Sequence, residues 1–83
     1  MLKNQSFFRT MADEKGILNK QIEVIDDYGF KHYMTVEVVI EAIENAPASE
    51  QKAIKDIFSK IDFMNGDLMH FIEHLAKGLV NNN

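Results

Sequence analysis

Apolar residues recur every three or four positions in four stretches of this chain, the spacing that gives a helix one apolar face. Between the first two stretches, β-branched and aromatic residues flank an Asp-Asp-Tyr-Gly sequence, which is typical of a β-hairpin. We therefore predict one small α+β domain over residues 1–83, with the β-hairpin packed against a helical bundle. The predicted order is α-β-β-α-α-α: a helix over about 4–15, a hairpin over about 20–34, helices over about 36–45, 50–62 and 67–80, and a frayed tail at 81–83.

Single residues mark where these helices begin and end. Gly16 can take the positive φ that terminates the first helix. Thr35 and Ser49 are predicted N-caps of the second and third helices. Pro47 ends the second helix, because the residue before a proline is pushed away from the α region. Asn65-Gly66 separates the last two helices.

The helical stripes predict the core. In the third and fourth helices the stripes consist of Ile54, Ile57, Phe58 and Ile61, and of Leu68, Phe71, Ile72, Leu75 and Leu79. Some apolar residues lie beyond the stripes, for example Val38 and Met69. They either widen the core-facing surface or form a self-association or partner surface, and a homodimer would bury the surplus.

Composition narrows the classes of function. The chain has 83 residues, a formal net charge of −4 and no cysteine, so disulfides and thiolate chemistry are excluded. The acidic balance argues against nucleic-acid binding, which relies on Lys and Arg to neutralise phosphates. No apolar run has the length of a signal peptide or a membrane span. We therefore expect a cytoplasmic protein without a membrane partner.

The polar face of the last predicted helix carries two histidines. His70 and His74 lie four residues apart on one face, with Glu73 beside them and Asp67 one turn earlier. These four residues are the metal-ligand candidates, because imidazole and carboxylate groups bind zinc. The run H-F-I-E-H resembles the H-x-x-E-H pattern of inverted zinc peptidases, which implies metal-dependent hydrolysis. The resemblance covers five residues and Lys77 places a cation one turn further on, so we favour a solvated polar face.

The second predicted helix carries an acidic strip opposite its apolar face. The strip consists of Glu37, Glu41 and Glu44, at i, i+4 and i+7. Like charges at this spacing repel each other by a few tenths of a kcal/mol per pair, roughly. Either solvation or pairing with Lys52, Lys55 or Lys60 of the next helix offsets the repulsion, or the strip binds a basic surface of a partner.

Aromatic residues cluster around the hairpin loop. Tyr28, Phe30 and Tyr33 either cover the core or anchor a partner. Alternation places Phe30 with His32 and Met34 on one face and Tyr33 with Lys31 on the other, so at least one aromatic ring should be exposed. A free hairpin edge could also accept a partner strand.

Phosphate-binding glycine motifs and a nucleophile elbow are absent from the sequence. We predict no catalytic residues and no cofactor. The leading hypothesis is a small acidic, non-enzymatic interaction module that acts as an adaptor, inhibitor or regulator of a larger protein partner. Small accessory proteins of bacteria and their phages often have a similar size and acidity, which is an analogy only. The alternatives are a metal-binding protein that uses the histidine face and a helix-turn-helix regulator built from the last two helices.

Overall fold

The computed structural model describes residues 6–61 and 66–81, and its elements follow the predicted α-β-β-α-α-α order. They are α1 (Phe7–Glu14), β1 (Gln21–Ile25), β2 (Lys31–Thr35), α2 (Val36–Glu44), α3 (Ala48–Lys60) and α4 (Asp67–Asn81). The predicted α+β class with one hairpin and four helices is therefore confirmed. The predicted helical positions 4, 5 and 62, together with Asn65 and the tail residues 82–83, lie outside the described residues.

Gly16 ends α1 as predicted. Its φ is 69°, a conformation that residues with a Cβ rarely adopt. The backbone N–H of Gly16 donates to the carbonyl of Asp13, and that of Ile17 donates to the carbonyl of Ala12. These two bonds form a Schellman motif, and the partly buried Ile17 packs against the core beyond the helix end.

The predicted caps of the next two helices have different outcomes. Thr35 does cap α2, because its hydroxyl accepts a hydrogen bond from the backbone N–H of Val38 at 3.4 Å. The Ser49 cap was wrong, since α3 begins at Ala48 with Pro47 in the cap position and no side-chain cap bond. Proline suits a helix start because its φ is already restricted to values compatible with the first turn.

The core lies where α1, α2, α3 and α4 meet the inner face of the hairpin. Its buried side chains are Phe8, Ala12, Ile22, Val24, Val36, Val39, Ile40, Ile43, Phe58, Leu68, Ile72 and Ala76. The Phe58 ring is fully buried and makes edge-to-face contacts with Phe8 at 5.2 Å and Phe71 at 5.7 Å between centroids. Phe58 therefore connects three helices.

Two predicted core residues are exposed. Ile57 precedes Phe58 in α3 and is turned about 100° away from it around the helix, so it faces water. Leu79 lies at the rim of a shallow apolar groove that Ala42 and Ile54 also line, and the groove leaves it partly uncovered. Val38 is exposed as well, whereas Met69 packs against the core, so most of the apolar surplus widens the core-facing surface.

The hairpin pairs β1 with β2 in antiparallel register, with Ile22 opposite Met34 and Glu23 opposite Tyr33. Ile22 and Val24 point into the core and pack near α4. The end of α4 also contacts the hairpin loop. Asn81 is helical, and its side-chain Oδ1 accepts a hydrogen bond from the backbone N–H of Asp27 at 2.9 Å, so the predicted fraying is wrong at this residue.

Candidate functional site

The hairpin loop is organised around the carboxylate of Asp26. Oδ1 accepts hydrogen bonds from the backbone N–H groups of Tyr28 at 2.8 Å and Phe30 at 3.0 Å. Oδ2 lies 2.7 Å from Nε2 of His32. Gly29 has a φ of 89°, which lets the chain reverse between these donors. One carboxylate thus holds both the loop backbone and the following strand.

These bonds lower the pKa of Asp26 below its ordinary value. The largest cause is the hydrogen bond with His32, and the backbone donors of Phe30 and Tyr28 add to it, while desolvation opposes part of the effect. The carboxylate is therefore ionised throughout the neutral range. The loop keeps its hydrogen-bond acceptor under ordinary conditions.

Four large apolar side chains project from this hydrogen-bonded loop and its strands into solvent. Their exposed fractions are 52% for Ile25, 84% for Tyr28, 69% for Phe30 and 60% for Tyr33. We call these four residues the hairpin surface. The expectation that at least one aromatic ring is exposed is confirmed, with three exposed rings.

The sequence prediction missed Ile25. Ile25 could have been found, because Ile22 and Val24 point inward and alternation then turns Ile25 outward. Phe30, which alternation groups with His32, precedes β2 and belongs to the loop, where no element covers it.

The acidic strip is neutralised in part by Arg9 of α1. The guanidinium donates from Nε and Nη2 to the carboxylate of Glu44 at 3.0 and 2.9 Å, and from Nη1 to Glu37 at 3.1 Å. Ser6, the N-cap of α1, donates its hydroxyl proton to Glu44 at 2.6 Å. The hydrogen bonds to Glu44 and Glu37 raise the pKa of Arg9 above its ordinary value, and the bond to Glu44 contributes most. Two of the three glutamates therefore have an intramolecular partner, and Glu41 is exposed.

The predicted partners of the strip were wrong. Lys60 pairs with Asp56 in its own helix at 3.1 Å, and Nζ of Lys55 lies over the Phe7 ring, 5.1 Å from its centroid. Arg9 was missed because it lies 35 positions from Glu44 along the chain, so no local spacing relates the two residues. The planar guanidinium is suited to bind one carboxylate with two nitrogens.

The histidine face of α4 is exposed beside β1. His70, Glu73 and His74, with Lys77, border a shallow open depression that also contacts Glu23. Asp67, the first residue of α4, is also exposed. Within residues 6–61 and 66–81, no three His, Asp or Glu side chains are arranged to hold a metal ion.

The turn of the alternative helix-turn-helix, residues 62–65, lies outside the described residues.

Among the helices that the structure describes, none has the length and apolar character needed to cross a membrane. Comparison of the chain with protein-family models, curated proteins and solved structures yields no match.

Proposed function

We propose that this protein is a non-enzymatic protein-binding module, an adaptor, inhibitor or regulator of a larger partner, and that the hairpin surface makes the contact. The observation that carries the proposal is the exposure of Ile25, Tyr28, Phe30 and Tyr33 on a single hairpin. Aromatic residues are enriched in protein interfaces and dominate their energetics, because they bury a large area with few rotatable bonds.

The hydrogen bonds that hold the loop support this proposal. Asp26 binds two backbone N–H groups of the loop and contacts His32, while Asn81 binds the N–H of Asp27. A loop that is ordered before binding loses less conformational entropy in the complex, and this raises affinity. Extensive hydrogen bonding beneath exposed tyrosines is therefore an arrangement that favours recognition.

The acidic strip has a secondary role in the proposal. Arg9 occupies Glu44 and one oxygen of Glu37, but Glu41 and much of Glu37 face solvent. With the net charge of −4, these carboxylates would speed association with a basic partner and add little affinity at equilibrium.

The absence of cysteine is the support for a cytoplasmic setting, where thiols are kept reduced.

Three variants test the proposal by capture from a lysate of the native host. Tyr28→Ser with Tyr33→Ser removes two exposed rings without touching the core, so loss of the captured partner is expected. Ile57→Ser is the matched control, because it removes an exposed apolar side chain from α3. Glu37→Gln with Glu41→Gln should slow capture and spare the final amount.

Circular dichroism should show the same helical content in all the variants. Full capture by the tyrosine variant would contradict the proposal. Loss of capture in the glutamate variant alone would indicate that α2, and not the hairpin, makes the contact.

A further inference from the structure

The outer face of the hairpin arranges two apolar and two charged side chains at the corners of a rectangle. The register places Glu23 opposite Tyr33 and Ile25 opposite Lys31, and all four side chains point away from the core. Ile25 and Tyr33 therefore occupy one diagonal of the rectangle, and Glu23 and Lys31 occupy the other. The two charged groups are 3.9 Å apart at their closest atoms, and both side chains are exposed to water.

This arrangement is complementary to itself. A twofold axis along the apolar diagonal turns the face over onto a copy of itself, so that Ile25 meets Ile25 and Tyr33 meets Tyr33 of the second copy. The same rotation nearly exchanges the ends of the charged diagonal. With strands about 4.8 Å apart and alternate residues about 6.7 Å apart, each Glu23 position falls about 3 Å from a Lys31 position of the other chain, within reach of these long side chains. Closed dimers require this kind of match between a surface and itself.

We propose that the outer face of the hairpin binds the same face of a second copy of this chain, about a twofold axis along the Ile25–Tyr33 diagonal. This inference rests on the proposed function in using part of the hairpin surface, and it adds self-association to the binding of a larger partner. The charge pattern favours a second copy because both signs are present at positions that the twofold axis nearly exchanges. A partner with a single sign of charge would match only half of it.

The dimensions of a β-sheet set the geometry of this dimer. Strands lie about 4.8 Å apart and alternate residues about 6.7 Å apart along a strand, so the diagonal is inclined about 35° to the strands. Rotation about it makes the strands of the two copies cross at about 70°. This angle is near the orthogonal class of sheet packing, in which strands cross at about 90°.

The available apolar area points to a weak dimer. Taking roughly 200 Å² for each aromatic side chain, the exposed fractions of Tyr28, Phe30 and Tyr33 amount to roughly 400 Å² in each copy. A stable interface buries about 800 Å² per partner. We therefore expect weaker association than that of a standard-size interface, with the two loop aromatics at the rim.

Charge reversal tests the inference by sedimentation equilibrium between about 10 μM and 1 mM protein. Glu23→Lys makes all four charges of the dimer positive and Lys31→Glu makes them all negative, so each variant alone should associate at least about tenfold more weakly than the unmodified protein. An equimolar mixture of the two should recover association, because each face then meets its opposite. The double variant E23K/K31E should associate like the unmodified protein, and Lys52→Glu on α3 is the neutral control.

Circular dichroism spectra matching that of the unmodified protein establish that the variants fold. A monomer at 1 mM for the unmodified protein, or unchanged association of the single variants, would overturn the inference. Monomeric single variants whose mixture stays monomeric would overturn the twofold pairing. Capture of a different protein that depends on Tyr28 and Tyr33 would still support the proposed function in each of these cases.

Discussion

The glycines at positions 16 and 78 differ in backbone conformation. Gly16 has a positive φ at the end of α1, where the Schellman motif requires the left-handed conformation. Gly78 lies inside α4, and a Cβ added there would meet no atom within 4 Å. At the residue scale, the two positions therefore differ in backbone conformation and not in the space available for a Cβ.

Alanine at these two sites should therefore change stability in opposite directions. Gly16→Ala is expected to lower the free energy of unfolding by about 1 kcal/mol, the cost of a left-handed residue with a Cβ. Gly78→Ala should raise it by about 0.5–1 kcal/mol through helix propensity. Urea denaturation followed by circular dichroism measures both, and a shift of the same sign in the two variants would contradict this explanation.

Asp26 makes the hairpin loop sensitive to acid. Its pKa is lower in the folded protein than in the unfolded chain, where it is about 3.9. The carboxylate therefore stabilises the fold above that value, and the stabilisation is lost as the pH falls through the lower, folded-state pKa. We expect the melting temperature to fall less between pH 6 and pH 3 in Asp26→Asn than in the unmodified protein. Parallel pH profiles for the two proteins would refute the assigned cause.

At the scale of secondary-structure elements, Arg9 joins α1 to α2. The guanidinium side chain is only 16% exposed and reaches two carboxylates on α2. Gln51 has a similar role between α3 and α2, because its side-chain amide donates to the carbonyls of Glu44 and Ala46 at the end of α2. Polar groups from neighbouring elements therefore satisfy both the acidic face and the C-terminus of α2.

Arg9→Met should lower the free energy of unfolding by about 2 kcal/mol, because it removes charge-assisted hydrogen bonds and leaves two carboxylates near each other. Lys60→Met is the control, since it breaks an exposed ion pair within one helix and should cost at most about 0.5 kcal/mol. Thermal denaturation of the two variants measures both changes in the free energy of unfolding. Equal effects would mean that the Arg9 bonds contribute no more than a surface pair.

Local signals explain which elements were predictable from the sequence. Gly16 and Thr35 act on backbone groups within four positions of themselves, so the end of α1 and the start of α2 were predicted correctly. The Arg9–Glu44 contact and the exposure of Leu79 depend on how distant elements pack, which no spacing encodes. Of the candidate site, the aromatic residues were predicted, but the support from Asp26 beneath them was not.

At the scale of the whole molecule, stability depends on a small core centred on Phe58. A domain of 83 residues has a free energy of unfolding near the lower end of about 5–15 kcal/mol. The ring of Phe58 contacts Phe7, Phe8 and Phe71, which come from two other helices. Loss of this one side chain affects the packing of α1, α3 and α4 together.

Phe58→Ala should cost about 4 kcal/mol and lower the melting temperature by roughly 15–30 °C. Phe7→Ala is the matched control, because Phe7 belongs to the same aromatic cluster but is partly exposed at the surface, and its loss should cost less than half as much. Differential scanning calorimetry measures both changes. Similar melting temperatures for the two variants would show that Phe58 is not the centre of the core.

The hydrogen bond between Asn81 and Asp27 places the described end of α4 beside the hairpin loop. A fluorescent label attached to Asn81 itself would therefore lie near the loop that carries Tyr28. If the hairpin surface makes the proposed contact, this label should obstruct binding in a correctly folded protein. Immobilisation through a Lys52→Cys variant on α3, which packs against α1 and α2, should keep the hairpin accessible, because the introduced thiol is the single one in the chain.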